Sequence, residues 1–279
     1  MIGLQIPARC PVFAPYPHVK DVCMAQTPIF PDLEGASVFI TGGRTGIGAA
    51  LTEGFAAQGA QVAFVQRSEA HAFCDAVETR HGTRPLFLPC DITDTPSLQQ
   101  AITQAAAAHG PVTILINNAA NDARHLTEDV TEACWDQTLA INLKAYFFAI
   151  QGVIAGMRAA GGGAIINFSS ISYMMGNAGY PVYTTANAGI TGMTRSLARE
   201  FGPDNIRVNA LAPGWVMTKK QREMWVTDDA LAAHLDRQCL KRELLPQDIV
   251  PGALFLASNA SAMMTGQLIA IDGGVVSTG

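Results

Sequence analysis

Short apolar runs alternate with longer amphipathic stretches along most of this 279-residue chain, and that alternation restricts the possible folds more than any other feature. The runs at 37–41, 61–66, 85–90, 113–117, 164–168, 206–212 and 267–271 have the length and composition of buried strands. Between them, 46–58, 69–81, 95–109, 131–159, 181–202, 218–238 and 246–258 carry helical patterns; Ile47, Leu51 and Phe55, for example, share one face of the first. Short strands separated by helices of a dozen or so residues build parallel βαβ units with helices on both faces. The expectation is an α/β fold, a doubly wound Rossmann-type parallel sheet in a single domain over 34–279. Such sheets bind ligands beyond the carboxyl ends of their strands, so functional residues should follow the strands directly.

Residues 1–33 break the pattern. Six of the fifteen prolines fall there (Pro7, Pro11, Pro15, Pro17, Pro28 and Pro31), a density that blocks helix and ladder, and this proline-rich extension reads as an extended arm. The net charge of −5 argues against nucleic acid as a main partner. The most apolar helical stretch carries Asn142, Lys144 and Gln151, so no membrane span or membrane partner is expected, and the N-terminus lacks a secretory apolar core. Six scattered cysteines without a C-x-x-C pair read as free thiols in a cytoplasmic setting, and six histidines without ligand spacing imply no metal. Charged residues make up only 15% of the chain, against a typical value of about 25%, which suggests surface buried in an oligomer.

The first strand ends in Thr41-Gly42-Gly43-Arg44-Thr45-Gly46-Ile47-Gly48. Gly42 permits a tight turn, Gly46 lets backbone approach a pyrophosphate, and Gly48 lets the following helix pack against the strand. The helix start then offers free N–H groups and a partial positive charge.

From this loop onward the chain resembles the short-chain dehydrogenase/reductase family. Asp91 ends the third strand, Asn117-Asn118-Ala119-Ala120 resembles the family's N-N-A-G run, and Asn142 lies in the long helix. Ser170 follows the fifth strand, Tyr183 comes thirteen residues later, and Pro213-Gly214-Trp215-Val216-Met217-Thr218 resembles P-G-x-V-x-T. The resemblance implies hydride transfer between a nicotinamide cofactor and a carbonyl or alcohol. It places Gly42, Arg44, Thr45, Gly46, Ile47, Gly48, Arg67, Asp91, Ile92, Asn118, Ala119, Ala120, Tyr183, Asn187, Pro213, Gly214, Val216 and Thr218 at the cofactor. Members that bind NAD close the second strand with an acid; here Gln66 and Arg67 stand there, and Arg67 with Arg44 can pair with a 2′-phosphate. NADP(H) is therefore favoured, with NAD(H) the alternative.

The resemblance assigns the catalytic set to Asn142, Ser170, Tyr183 and Asn187. A tyrosine hydroxyl can give a proton to the oxygen of a carbonyl that accepts hydride, and a serine hydroxyl can orient that oxygen. Four residues after the tyrosine the family carries a lysine; this chain has Asn187. Without that charge, alcohol oxidation, which needs a phenolate, suffers more than carbonyl reduction, which needs a phenol. Three readings stay open: a working reductase, a cofactor-binding protein without redox turnover, and a variant disarmed by Asn187. Among family members the resemblance is nearest to bacterial aldose 1-dehydrogenases. It implies a sugar or small polyol or ketone as substrate, Asn121, His125, Ser172, Trp215 and Gln221 as its contacts, and a homotetramer.

Overall fold

The computed structural model describes residues 27–277; the proline-rich arm up to residue 26 lies outside them. Seven strands form one parallel sheet: β1 (Ser37–Thr41), β2 (Gln61–Gln66), β3 (Leu86–Pro89), β4 (Ile114–Asn117), β5 (Gly163–Phe168), β6 (Ile206–Pro213) and β7 (Leu268–Ile271). Their order is β3-β2-β1-β4-β5-β6-β7. The winding reverses between β1 and β4, and the expected doubly wound sheet is thus present with its switch point there.

Alternation along β1 shows how the two faces are filled. Val38 and Ile40 pack on one side with Leu51 and Phe55 of α1 (Gly46–Ala57) and with Ile249 and Leu254 of α9 (Pro246–Ala257). Phe39 points to the other side, among Leu98 and Ile102 of α3 (Thr95–His109) and Ile150 and Val153 of α5 (Ala145–Ala159). Both faces are dry, which is why the strands are apolar throughout rather than alternating. The helices α2 (His71–His81), α4 (Glu132–Leu139), α6 (Pro181–Phe201), α7 (Lys219–Met224) and α8 (Asp228–Arg237) complete the molecule.

Four sequence expectations need correction. The helix expected from residue 69 begins at His71, because the Glu69 carboxylate accepts the N–H groups of Ala70 and His71 and so closes the turn before it. The expected helix 131–159 runs as Glu132–Ala159 but contains a π turn at Ala140–Lys144. There the Asn142 side chain donates to the Thr138 carbonyl at 2.9 Å and competes with the regular ladder. This helix is long and apolar enough to cross a membrane by length and composition; in the fold its inner face, Tyr146, Ala149, Ile150 and Val153, is core. The expected helix 218–238 is two helices, because Thr227 is extended and caps α8, its Oγ1 accepting from the N–H of Ala230.

The last correction concerns where the body starts. Pro31–Leu33 forms a 3-10 turn, Leu33 is fully buried, and the Gln58 amide holds the N–H of Phe30 and the carbonyl of Pro28. The body therefore begins before residue 34. Leu33→Ala should cost about 2–5 kcal/mol in urea unfolding, the range for a buried leucine, whereas Ile29→Ala, at an exposed side chain, should cost less than about 0.5. Equal small effects would contradict this boundary.

Candidate active site

A cleft of about 740 Å³ opens along the carboxyl ends of the strands, between the loops that follow β1 and β4. Its floor is the glycine loop. Gly42 has φ +72° and Gly46 φ +55°, conformations that favour glycine. A Cβ on Gly48 would sit 1.9 Å from the Gly42 carbonyl oxygen, so the start of α1 can press onto the end of β1 only without a side chain there. Asn118 clamps the arrangement: its Nδ2 donates to the carbonyls of Thr41 and Gly42 at 3.0 and 3.1 Å. The N–H groups of Asn118 and Ala119 both donate to Thr41 Oγ1. Thr45 caps α1 without a side-chain bond, which leaves the first N–H groups of that helix for an anion. This cradle fits a dinucleotide pyrophosphate by shape and by donor set.

At one end of the cleft, Gln66 and Arg67 leave β2 and Asp91 follows β3. Thr93 donates through its backbone N–H and its hydroxyl to Asp91, and Arg67 lies 3.9 Å away; together they hold that carboxyl below its usual range. Arg44 is outside the cleft lining, but its guanidinium donates to Ser68 Oγ at 3.2 Å and so lies beside the β2 end. Two guanidiniums at this corner suit a phosphate on the adenosine ribose.

At the other end stand the residues expected to act on substrate. Ser170 follows β5 and caps a short turn, its Oγ accepting from the N–H of Ser172 at 3.2 Å. Proline starts α6, and Tyr183 and Asn187 follow one turn apart on it. Both line the cleft with Ser170 and Asn142. Asn142 is fully buried at the π turn, where its amide accepts the N–H of Asn121 at 2.8 Å and donates to the Asn121 carbonyl at 3.1 Å. It therefore fixes the loop after β4 and acts as a positioning residue. Asn187 is buried as well; its Nδ2 donates to the Tyr183 carbonyl at 2.9 Å, and its own carbonyl accepts from Ser169 Oγ.

Burial pushes the Tyr183 phenol up to about 12. The Ser170 hydroxyl and the Asn187 amide pull it partly back, the Asp122 carboxylate pushes it further, and no cation is among the groups that shift it. The phenol is thus a proton donor at neutral pH. Lys144 faces away, its Nζ over the Phe148 ring.

Of the expected substrate contacts, Asn121, Ser172, Trp215 and Gln221 line the cleft and His125 does not. The backbone N–H of His125 instead donates to the Gly179 carbonyl. Gly46, like Arg44, lies just behind the lining. Gln221 is already engaged: its Oε1 accepts from Trp215 Nε1 and its Nε2 donates to Asp122. Sequence reading missed Asp122, Arg124, Tyr180, Lys220, Trp225 and His234, all of which line this end. The Tyr180 and Tyr183 rings are 5.6 Å apart and both face the cleft. Nothing in the local spacing pointed to Asp122 or to the α7 and α8 residues. Among the described residues no cluster of histidine, cysteine or acidic side chains could hold a metal.

The family model described as Enoyl-(Acyl carrier protein) reductase matches residues 42–276. The chain is 48% identical over 248 residues to the protein of Rhizobium meliloti named "Probable galactose dehydrogenase", with 88% of this chain and 97% of that one covered. It is 44% identical over 247 residues to the D-xylose 1-dehydrogenase of Caulobacter vibrioides, covering 88% and 98%. Among solved structures, the blue fluorescent protein from a metagenomic library in complex with NADPH superposes with a TM-score of 0.81 at 33% identity, covering 88% and 99%. The cradle makes a direct prediction. Gly48→Ala should weaken dinucleotide binding at least about tenfold in a fluorescence titration, because the added methyl meets the Gly42 carbonyl and parts the helix from the strand. Unchanged affinity would contradict the assignment.

Proposed function

The chain belongs to the short-chain dehydrogenase/reductase family, and from that premise we propose that it is an NADP(H)-dependent oxidoreductase acting on a sugar or similar small polyol or ketone. The observation that carries the reading is the convergence of Ser170 and Tyr183 on the cleft that the glycine loop floors. A nicotinamide dinucleotide, when bound, supplies or accepts the hydride. The residues do the rest. In reduction, the Tyr183 hydroxyl donates its proton to the substrate oxygen while the Ser170 hydroxyl holds that oxygen beside it. In oxidation, the Tyr183 oxygen takes the hydroxyl proton, which requires the ionised form. Asn142 keeps the loop after β4 in place beneath the reacting groups.

Arg67 and Arg44 at the end of β2 support NADP(H) over NAD(H), and the NADPH complex of a structural relative agrees with that choice. The sugar names of the sequence relatives, and a cleft end built from hydroxyl, amide and indole groups, support a polyhydroxylated substrate. A homotetramer is supported by the exposed Trp135 and Phe147 on the long helix, and a cytoplasmic setting by four free cysteines among the described residues.

With the phenol held near 12, the ionised fraction at pH 8 is about one in ten thousand. The oxidation rate should therefore rise about tenfold per pH unit from pH 7 to 10, while reduction stays flat. Asn187→Lys places an ammonium one helical turn from Tyr183. It should raise oxidation at pH 8 about tenfold or more and move the rise to lower pH. Steady-state rates with a panel of aldoses and ketoses in both directions check this. No turnover by either form would overturn the redox reading in favour of a cofactor-binding role. Arg67→Ala should lower the preference for NADPH over NADH by about tenfold, and an unchanged ratio would contradict the phosphate assignment.

A further inference from the structure

The far wall of the reactive end is a cap, α7, α8 and the link between them, whose Lys220, Gln221, Trp225 and His234 line the cleft. The cap makes little core: neither helix contains a buried residue. It is held instead by contacts at its two sides: Arg222 pairs with Glu243 and Lys241 donates to the carbonyls of Leu235 and Asp236 on one, and the loop after β4 meets it on the other. Lys220 Nζ donates to Asp122 Oδ1 and Gln221 Nε2 donates to Asp122 Oδ2, each at 2.5 Å. Gln221 Oε1 in turn accepts from Trp215 Nε1 at 2.8 Å. Two residues beyond Asp122, the Arg124 guanidinium lies over the Trp225 ring at 4.5 Å and reaches the Tyr180 ring at 5.8 Å. The loop that carries Asp122 is itself held by the two bonds between Asn142 and the backbone of Asn121. A continuous path therefore runs from the π turn, through Asp122, to the cap.

Under the cap, Ser172 Oγ, Trp225 Nε1 and His234 Nε2 are buried without a protein partner. Buried polar groups need a partner; these three lack one and are shut off from the cleft, so a ligand reaches them only when the cap shifts. They are an alcohol, an indole N–H and an imidazole nitrogen, with the flat faces of Trp215 and Tyr180 close by, and this chemistry matches a compact polyhydroxylated molecule.

We propose that Asp122 is a positioning residue that latches the α7–α8 cap over the substrate, so that the strength of the latch sets affinity for a sugar-like ligand. This rests on the sugar oxidoreductase reading for the ligand, but the latch itself is testable without it. Burial raises the Asp122 carboxyl, yet the bond and charge of Lys220 outweigh burial and keep it ionised, as the latch requires. Opening the latch lowers the fraction of molecules in the binding-competent form, which raises the apparent dissociation constant without changing the chemistry.

Hydrogen–deuterium exchange on the full-length protein with NADPH tests the latch. Asp122→Ala should speed exchange across 219–237 about tenfold and leave 42–48 unchanged, with Asp122→Asn between it and the wild type. Lys220→Met, a change at a half-exposed side chain, should do the same to a smaller extent, and the double variant should fall short of the sum of the two. With a sugar that the wild type reduces, KM should rise about 10- to 100-fold while kcat, which in that direction does not draw on ionised Tyr183, changes by less than about threefold. Unchanged exchange over 219–237, additive effects, or a loss in kcat alone would overturn the proposal. A latch confirmed by exchange in a wild type that turns over no sugar would instead overturn the substrate reading.

Discussion

The close approach of α1 to the end of β1 is the constraint from which the site follows. It exists because Gly48 has no side chain and because Gly42 turns at positive φ, so the Gly42 carbonyl can face the helix start. Asn118 spans the same corner from the neighbouring strand, donating to the carbonyls of Thr41 and Gly42. One amide thus joins the two loops of the switch point, and the helix N-terminus is held at the angle that exposes its free N–H groups. Removing either feature would leave the sheet intact and the cradle without its shape, because the sheet is held by its own ladder and by two dry faces.

The reactive end depends on a different device. A π turn inserted in the long helix swings Asn142 inward, where it fixes Asn121 and, one residue on, Asp122. From there the path divides. Toward the sheet lie Ser170 and Tyr183, which line the cleft; toward solvent lies the cap, tied by Lys220 and Gln221. Asn187 occupies a buried slot where its amide satisfies the Tyr183 carbonyl. That exchange keeps the helix start ordered but puts no charge beside the phenol. The electrostatics of the site therefore favour the protonated tyrosine.

Much of this was legible in the residues. The sheet, its winding and the position of the cleft follow from the strand and helix lengths, because buried parallel strands have a composition that little else shares. The glycine loop, Ser170 and Tyr183 stood out because such roles demand particular residue types at fixed local spacings, and the structure brings them to one cleft. The cap escaped for the opposite reason. Asp122 and Lys220 lie 98 residues apart, and their bond depends on how two surface loops meet, which no local pattern records. The break at Thr227 was hidden because helical spacing continues across it. The π turn was hidden because Asn142 reads as one more helical residue until its side chain is seen to take the Thr138 carbonyl. Leu33 was assigned to the arm by its neighbouring prolines, although proline begins a short turn that carries it into the core.

The nucleotide pocket supports every later step, and calorimetric titration of the full-length protein with NADPH and with NADH addresses it most directly. The account requires saturable binding of NADPH with one site per chain, and affinity at least about tenfold higher than for NADH, from the pairing of the 2′-phosphate with the guanidiniums at the end of β2. Binding of neither nucleotide would contradict it.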